Sequence, residues 1–526
     1  MARTKLSQLD GKDFDVAVIG GGVNGASSAH HLAAAGYSVL MVDKGDFGAG
    51  SSSRSGRMLA CGVRYLEPGD GTSYMAPKQS PLWQFVRHPG EFLRGTRKAR
   101  DAMEVRAHFV TNMPERVEGN TWFYPVWEKD KYAPWQVSLG FNILGAISTK
   151  KVPLDHRRIG PAEIKTTPLA KWLRDPATLR SVIGFCEYRF EWPERIVMDT
   201  VLDTERMGAI VRNYTPVTGL RREGEGWKVT LTDAAGEAGE ASVKATAVVN
   251  TTGIWTDKVN RLANPHAGRK ITGTKGSHIM VRLPTECRTY GIITSFRDGN
   301  PFYIYPWRGM HYIGPTDTLF EGNEDDVFAT EDEIAFLIDE ANHLLPSLNV
   351  KRSDVLFTWA GVRPQTYDPV FPLGRRWRQF HDLAADGMPN VFNLTAGNIM
   401  TSRLSGKEMC AEVQKRIRPS GPPQQISYAA KPFPRNETTA ALLNHWPEAK
   451  LSDLRHAAAH EHAVSLRDLM FRRVGVAWTA TMGREAARRA AETVADIMGW
   501  DAKRIDAEVA DYLAHIAHFN GVTKDS

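Results

Sequence analysis

The chain has 526 residues, a net charge of +6, 42% hydrophobic and 24% charged residues. That length exceeds what one core can hold and predicts two to three domains of an ordinary folded protein. The modest positive charge suits anionic substrates or an anionic membrane surface. Nucleic acid is not an expected partner, because no basic cluster is interleaved with aromatics. No run reaches the apolar length of a membrane span, and Met1-Ala2-Arg3-Thr4-Lys5 leads into the first strand without the apolar core of a signal peptide. A cytoplasmic protein is expected. Cys61, Cys186, Cys287 and Cys410 show no C-x-x-C pairing, which argues against a disulfide framework, a thiol redox pair or a structural zinc.

The first predicted element is a strand, Asp15 to Ile19, breaking into Gly20-Gly21-Gly22-Val23-Asn24-Gly25 and a helix over Ala26 to Ala35. A second apolar run, Ser38 to Val42, ends in Asp43. Gly20 permits the tight turn, Gly22 a close approach of backbone to pyrophosphate, and Gly25 the packing of helix on sheet. The helix N-terminus presents N–H groups to phosphates, and Asp43 stands where an acid accepts hydrogen bonds from a ribose diol. Strand, turn, helix, strand and acid in register predict a bound adenine dinucleotide.

A Ser/Gly-rich loop, 48–56, follows, and 81–175 reads as irregular with a helix around Phe92 to Phe109. Strands return over 209–250, including the alternating Trp227-Lys228-Val229-Thr230-Leu231-Thr232. Antiparallel strands are expected over 272–318, a helix over 331–345 and a strand near Val355. Residues 388–417 read as strand, glycine turn and long helix; Pro419-Ser420-Gly421-Pro422-Pro423 reads as a linker, and 437–517 as all-helical. Nucleotide-type strands recur near the start, near 250 and near 395, with β segments between them. By fold-level analogy, such splitting favours FAD over NAD.

Several segments together resemble the FAD-dependent glycerol-3-phosphate dehydrogenases. They are GGGVNG, Ser51-Ser52-Ser53 leading to Gly62-Val63-Arg64-Tyr65-Leu66-Glu67, Asn250-Thr251-Thr252-Gly253-Ile254-Trp255, and Lys275-Gly276-Ser277-His278. Ile313-Gly314-Pro315-Thr316-Asp317, Ala360-Gly361-Val362-Arg363-Pro364 and the tail from Leu454 to His515 complete the set. The match is weakest between about 70 and 200. It implies an α/β plus α architecture: a split FAD-binding Rossmann-like domain of glutathione-reductase type, an antiparallel β substrate domain and an all-helical C-terminal cap. The expected division is 1–80, 181–270 and 351–418 for FAD, 81–180 and 271–350 for substrate, 419–436 as linker and 437–526 as cap.

The implied reaction moves hydride from a secondary alcohol carbon of a phosphorylated polyol to flavin N5, most simply from sn-glycerol 3-phosphate, with quinone as acceptor. His278, read as following a Lys-Gly-Ser turn, is the expected base, its titration range suiting proton transfer near neutrality. Arg363, read as lying in a Gly-Val-Arg-Pro turn, is placed by the resemblance against the substrate, to stabilise developing alkoxide. Arg64 and Tyr65 resemble residues near flavin and phosphate, and Arg375 or Arg376 would clamp the phosphate. Flavin contacts are implied for Gly20, Gly22, Asn24, Gly25, Asp43, Ser51, Ser52, Ser53, Gly62, Thr252, Gly253, Gly397 and Asn398.

Two departures stand out. Ala396-Gly397-Asn398 replaces a glycine-glycine-lysine turn whose lysine contacts phosphate, and Ala60-Cys61 replaces His-Gly. A lost cation weakens anion binding by about 1–3 kcal/mol. Another polyol phosphate such as a tetritol phosphate, a non-phosphorylated substrate, or an oxygen-using oxidase therefore remain open alternatives. The helix opening at Asn398 is expected to aim its N-terminus at the flavin pyrimidine. His456 and His460 have i, i+4 spacing, but no third ligand accompanies them, so a solvated helix face rather than zinc is expected. The basic stretch from Arg87 to Arg106 and the apolar Trp135 to Leu144 are candidates for peripheral contact with the cytoplasmic face of an inner membrane. A homodimer is left open.

Overall fold

A computed structural model describes residues 3–66, 89–130, 132–147, 152–434 and 439–522, without the side chains of Arg64, Glu91, Phe92 and Arg94. In chain order the principal elements are β1 (Asp13–Ile19), α1 (Val23–Ala34), β2 (Val39–Val42), α2 (Pro89–Asn112), β3 (Val117–Trp127), α3 (Pro134–Ile147), β4 (Leu179–Phe190), α4 (Pro193–Arg206), β5 (Ile210–Arg212), β6 (Glu240–Asn250), β7 (Ile271–Val281), β8 (Val355–Thr366), β9 (Val391–Thr395), α5 (Ser402–Gln414) and α6 (Ala502–Asn520).

The first sheet runs β9-β6-β1-β2-β5, all parallel, and is edged by Gln379–Asp382 antiparallel to β9. Val16 to Ile19 are buried on both faces, as expected for a central parallel strand covered by helices. The chain leaves β1 towards β2 on one side and later returns as β6 on the other. β1 is therefore the switch point of the sheet, and a crevice opens beyond its C-terminal end. Trp227 to Thr232 alternate buried and half-buried residues as expected, and lie antiparallel to β6.

The second sheet contains ten strands among the described residues. Two strands expected in the nucleotide-binding part belong here. β4 pairs along its length with β3, from Val117 opposite Phe190 to Trp127 opposite Leu179, and β8 pairs with β7. Apolar runs identify these segments as strands, but partner choice is set by distant residues. β3 itself falls in the stretch read as irregular; Gly119 and Pro125 interrupt its strand-forming residues.

The described residues of the C-terminal segment, 439–522, are mainly helical, as the resemblance implied, except for a hairpin of Ala441–Leu443 with Trp446–Lys450. Residues 419–436 are not a free linker where they are described. Gly421 N donates to Gly36 O at 2.8 Å, Gln424 N to Ala34 O at 2.7 Å, and Lys431 pairs with Asp203 at 2.9 Å. A Cβ at Gly36 would sit 2.2 Å from Gly421 O, so the strap lies directly on the turn after α1. The C-terminal segment shares a core with the second sheet, built from Trp307, Tyr312, Trp359, Met470, Phe471 and Trp478. Among the described residues no helix is long and apolar enough to cross a membrane.

Candidate active site

The crevice beyond β1 is the entrance to a cavity of about 1610 Å³ that runs from the first sheet to the second. At its nucleotide end Gly20 has φ +101°, and a Cβ there would meet Thr251 O at 2.8 Å. Gly22 caps α1 with extended backbone, and the nearest atom to a Cβ on it is Ser52 Oγ at 3.1 Å. Asp43 accepts from Gly21 N at 2.6 Å and Gly45 N at 2.8 Å, and burial pushes its pKa up to about 6. Asn24 donates to Gly397 O at 2.8 Å, while its own Oδ1 is buried without a partner among the described residues. Thr252 and Gly253 follow β6 and line the same space, as do Ser51, Ser52, Gly62, Gly397 and Asn398.

Two expected flavin contacts, Gly25 and Ser53, fall outside the cavity lining, and one expected helix start is shifted. Gly25 does not line the cavity: a Cβ on it would lie 1.7 Å from Gly20 O, so its role is helix-on-sheet packing. Ser53 turns inward and donates to Ala49 O and Gly50 O. The helix at the far side starts at Ser402 rather than Asn398, whose Oδ1 accepts from Thr401 N at 2.9 Å and Thr401 Oγ1 at 3.1 Å. The turn is thereby capped by its own side chain, and the helix N-terminus is displaced by a full turn. Gly25→Ala should thus prevent the turn from closing, giving colourless protein; its absorbance in the flavin band against wild type checks this.

At the other end His278 and Arg363 lie within strands, not turns. His278 is on β7 opposite Trp359, and Arg363 is on β8 opposite Thr274. The neighbouring glycines, which suggested turns, face one another: Gly276 is opposite Gly361. Directly opposed residues share a sheet face, so His278 and Arg363 flank a side-chain-free window on one face. The window is used twice. A Cβ at Gly276 would lie 2.1 Å from Arg363 Nη2, and one at Gly361 would lie 2.8 Å from Arg54 O in the Ser-rich loop.

The His278 ring is buried and stacked on Trp359, centroids 4.7 Å apart at 12°. Neither ring nitrogen has a hydrogen-bond partner among the described residues. Burial first, then the charges of Arg363 and Arg57, hold its pKa well below 6.5, so the imidazole is neutral. Arg363 donates to Asp317 Oδ1 at 3.0 Å and Thr316 O at 3.2 Å. Arg376 also pairs with Asp317, which joins the two guanidinium groups. Arg375 pairs with Asp368 and packs over Phe371 and Trp377. Tyr65 lines the cavity, whereas the Arg64 side chain is outside the described residues.

The structure adds residues with no assigned role in the sequence reading. Asp317 orients two arginines. Glu187, its carboxyl pKa raised by burial, accepts from Cys61 N at 2.7 Å and faces Arg106 at 3.5 Å. Lys98, Asp101, Trp377 and Arg378 also line the substrate end. Their signal lies only in three-dimensional proximity. His456 and His460 have ring centroids 4.8 Å apart, and among the described residues no group of three or more metal-ligating side chains is assembled.

A switch-point crevice with a glycine cradle, an Asn24 oxygen with no partner among the described residues and the Asp43 carboxylate form a dinucleotide site whose backbone N–H groups and acceptors fit FAD. Residues 15–412 match the FAD dependent oxidoreductase family model, and 426–505 match the C-terminal domain of alpha-glycerophosphate oxidase. The chain belongs to that FAD-dependent oxidoreductase family, and its resemblance to glycerol-3-phosphate dehydrogenases is borne out. It is 29% identical to a glycerol-3-phosphate dehydrogenase of a Synechocystis species over 96% of each chain. It is 30% identical to the D-erythritol 1-phosphate dehydrogenase of Brucella abortus, over 74% of this chain and 71% of that one. The fold superposes on glycerol-3-phosphate dehydrogenase from Bacillus halodurans, solved with FAD, with a TM-score of 0.72 at 17% identity over 98% and 96% of the two chains. The protein is an FAD-dependent oxidoreductase.

Proposed function

We propose that the protein oxidises a phosphorylated polyol at a secondary alcohol carbon, most simply sn-glycerol 3-phosphate to dihydroxyacetone phosphate. The observation that carries this reading is a neutral, unpartnered imidazole, His278, sharing one sheet face of the FAD cavity with the Arg363 guanidinium. FAD, held by Gly20, Gly22, Asn24, Asp43, Ser51, Ser52, Thr252 and Gly253, supplies the hydride acceptor when bound. His278 takes the hydroxyl proton on a free ring nitrogen, and the Trp359 stack fixes the ring plane. Arg363, anchored by Asp317 and Thr316, stabilises negative charge growing on the substrate oxygen. Arg375 and Arg376 face the phosphate, and the relatives acting on glycerol 3-phosphate and D-erythritol 1-phosphate support that class.

Quinone is the proposed acceptor, reached at the cytoplasmic face of a membrane. Leu93 on α2 and Trp135 and Leu139 on α3 are exposed and supply apolar surface for such contact. The test is anaerobic mixing of the yellow protein with glycerol 3-phosphate and with D-erythritol 1-phosphate. At least one should bleach the flavin absorbance; bleaching by neither overturns the substrate class. Under air, a peroxide yield matching substrate consumed would favour an oxidase and remove quinone from the proposal.

A further inference from the structure

We propose that Lys98 supplies the phosphate-binding cation that position 398 lacks, so that the substrate phosphate is held between α2 and the segment Arg375–Arg378. This rests on the polyol-phosphate reading above.

The α2 residues that line the cavity are Gly95, Lys98, Asp101 and Ala102, one face of the helix by their spacing. That face is fixed in place by close packing. A Cβ at Gly95 would lie 2.3 Å from Tyr65 O, and one at Gly62 would lie 2.9 Å from Ala102 Cβ. Lys98 therefore projects from a helix wedged against the Gly62–Tyr65 segment. Its Nζ is 5.1 Å from the Trp377 ring centroid, and Arg375 Cζ is 4.9 Å from the indole of the same residue. The lysine and the arginine run Arg375-Arg376 thus meet around one indole, and Arg376 continues through Asp317 to Arg363.

The charges at this end are unequally committed. Arg363 and Arg376 share Asp317, Arg375 pairs with Asp368, and Arg378 grips Glu408 at 2.7 and 3.0 Å with Asp101 nearby. Three carboxylates thus pair with four guanidinium groups, and Asp101 lies near the one on Glu408. Among the described residues Lys98 has no carboxylate partner, and Asn398 turns its oxygen onto Thr401. A phosphomonoester carries close to two negative charges at neutral pH, and among the described residues Lys98 is a cation beside Trp377 and Arg375 that no carboxylate already holds. An exposed lysine with no ligand would be solvated and dispensable, which is what the test separates.

Steady-state kinetics on the flavin-loaded enzyme decide it, with inorganic phosphate as a competitive probe. Lys98→Met should raise KM for the phosphorylated substrate and Ki for phosphate by roughly tenfold or more, with kcat held within about twofold. Lys98→Arg should restore most of both, and Asn398→Lys placed in the Lys98→Met chain should recover part of the loss by returning a cation. Because Lys98 is exposed, each variant should keep its flavin absorbance. Unchanged KM and Ki in Lys98→Met, with wild type active on a polyol phosphate, overturn this inference alone. A wild type reduced by no polyol phosphate overturns the underlying reading as well.

Discussion

Replacing His278 by Ala or Gln is expected to leave a yellow protein whose reduction by substrate is slowed about 10²–10⁴-fold, the range of general base catalysis. The ring lies on the cavity wall formed by β7 and β8, and the nearest atom to a Cβ on Gly56 is His278 Nε2 at 3.5 Å. It is not part of the glycine cradle at β1, so flavin content should survive. Stopped-flow bleaching under anaerobic conditions measures the rate; reduction at the wild-type rate would remove His278 as base. The pH behaviour gives a second check. A base works only while unprotonated, and burial together with Arg363 and Arg57 depresses this pKa, so the neutral form persists as pH falls past 6.5. In the substrate-free enzyme the imidazole proton resonance that disappears in His278→Gln should keep its neutral position well below pH 6.5. An ordinary midpoint near 6.5 would mean that the ring is hydrated and the site open.

Local chemistry made one part of this molecule legible and hid another. The stretch from β1 to Asp43 obeys short-range rules, because Gly20, Gly22 and Asp43 each act within some twenty residues of one another. The same habit misplaced His278 and Arg363 in turns. Gly276 and Gly361 looked like chain reversals, but they are there to let a guanidinium and the Ser-rich loop approach a sheet. β4 and β8 showed their strand character through apolar runs, while their sheet was decided by partners far along the chain. Asp317 and Arg363 are 46 residues apart, and Lys98 reaches Trp377 across a wider gap. No spacing rule connects such pairs. Asn398 stood out as a missing charge by resemblance alone, whereas the proposal for Lys98 rests on the placement of α2, which no local pattern announces.

The other large effect is expected from Asp46, three residues beyond the ribose-side carboxylate. Asp46 is buried and accepts from Arg472 Nε at 2.5 Å, Arg473 Nη1 at 2.8 Å, Arg473 Nη2 at 2.7 Å and Asn213 Nδ2 at 2.9 Å. Arg473 is fully buried and Arg472 nearly so. Removing the carboxylate leaves two guanidinium groups in a dry interface, with Asp468 remaining to Arg472 at 2.6 Å. Breaking one side of such a pair typically costs about 3–5 kcal/mol. Asp46→Ala should therefore lower the urea midpoint markedly and expose the C-terminal segment to protease. Adding Arg473→Met should recover part of the loss, since the uncompensated charge goes with it. The effect should not vary between pH 5 and 8. The two arginines hold the Asp46 pKa far below its usual value, so its stabilising contribution is complete above about pH 4 and is lost only as pH falls towards the folded value. Tyr214 N donates to Gly45 O at 2.8 Å, and Tyr214 Oη donates to Asp468 at 2.7 Å, so the same network steadies the loop after Asp43. Asp46→Ala should accordingly release FAD faster than wild type while each flavin still bound is reduced by substrate at the normal rate. A slowed reduction per bound flavin would instead mean that the C-terminal segment reaches the chemistry itself.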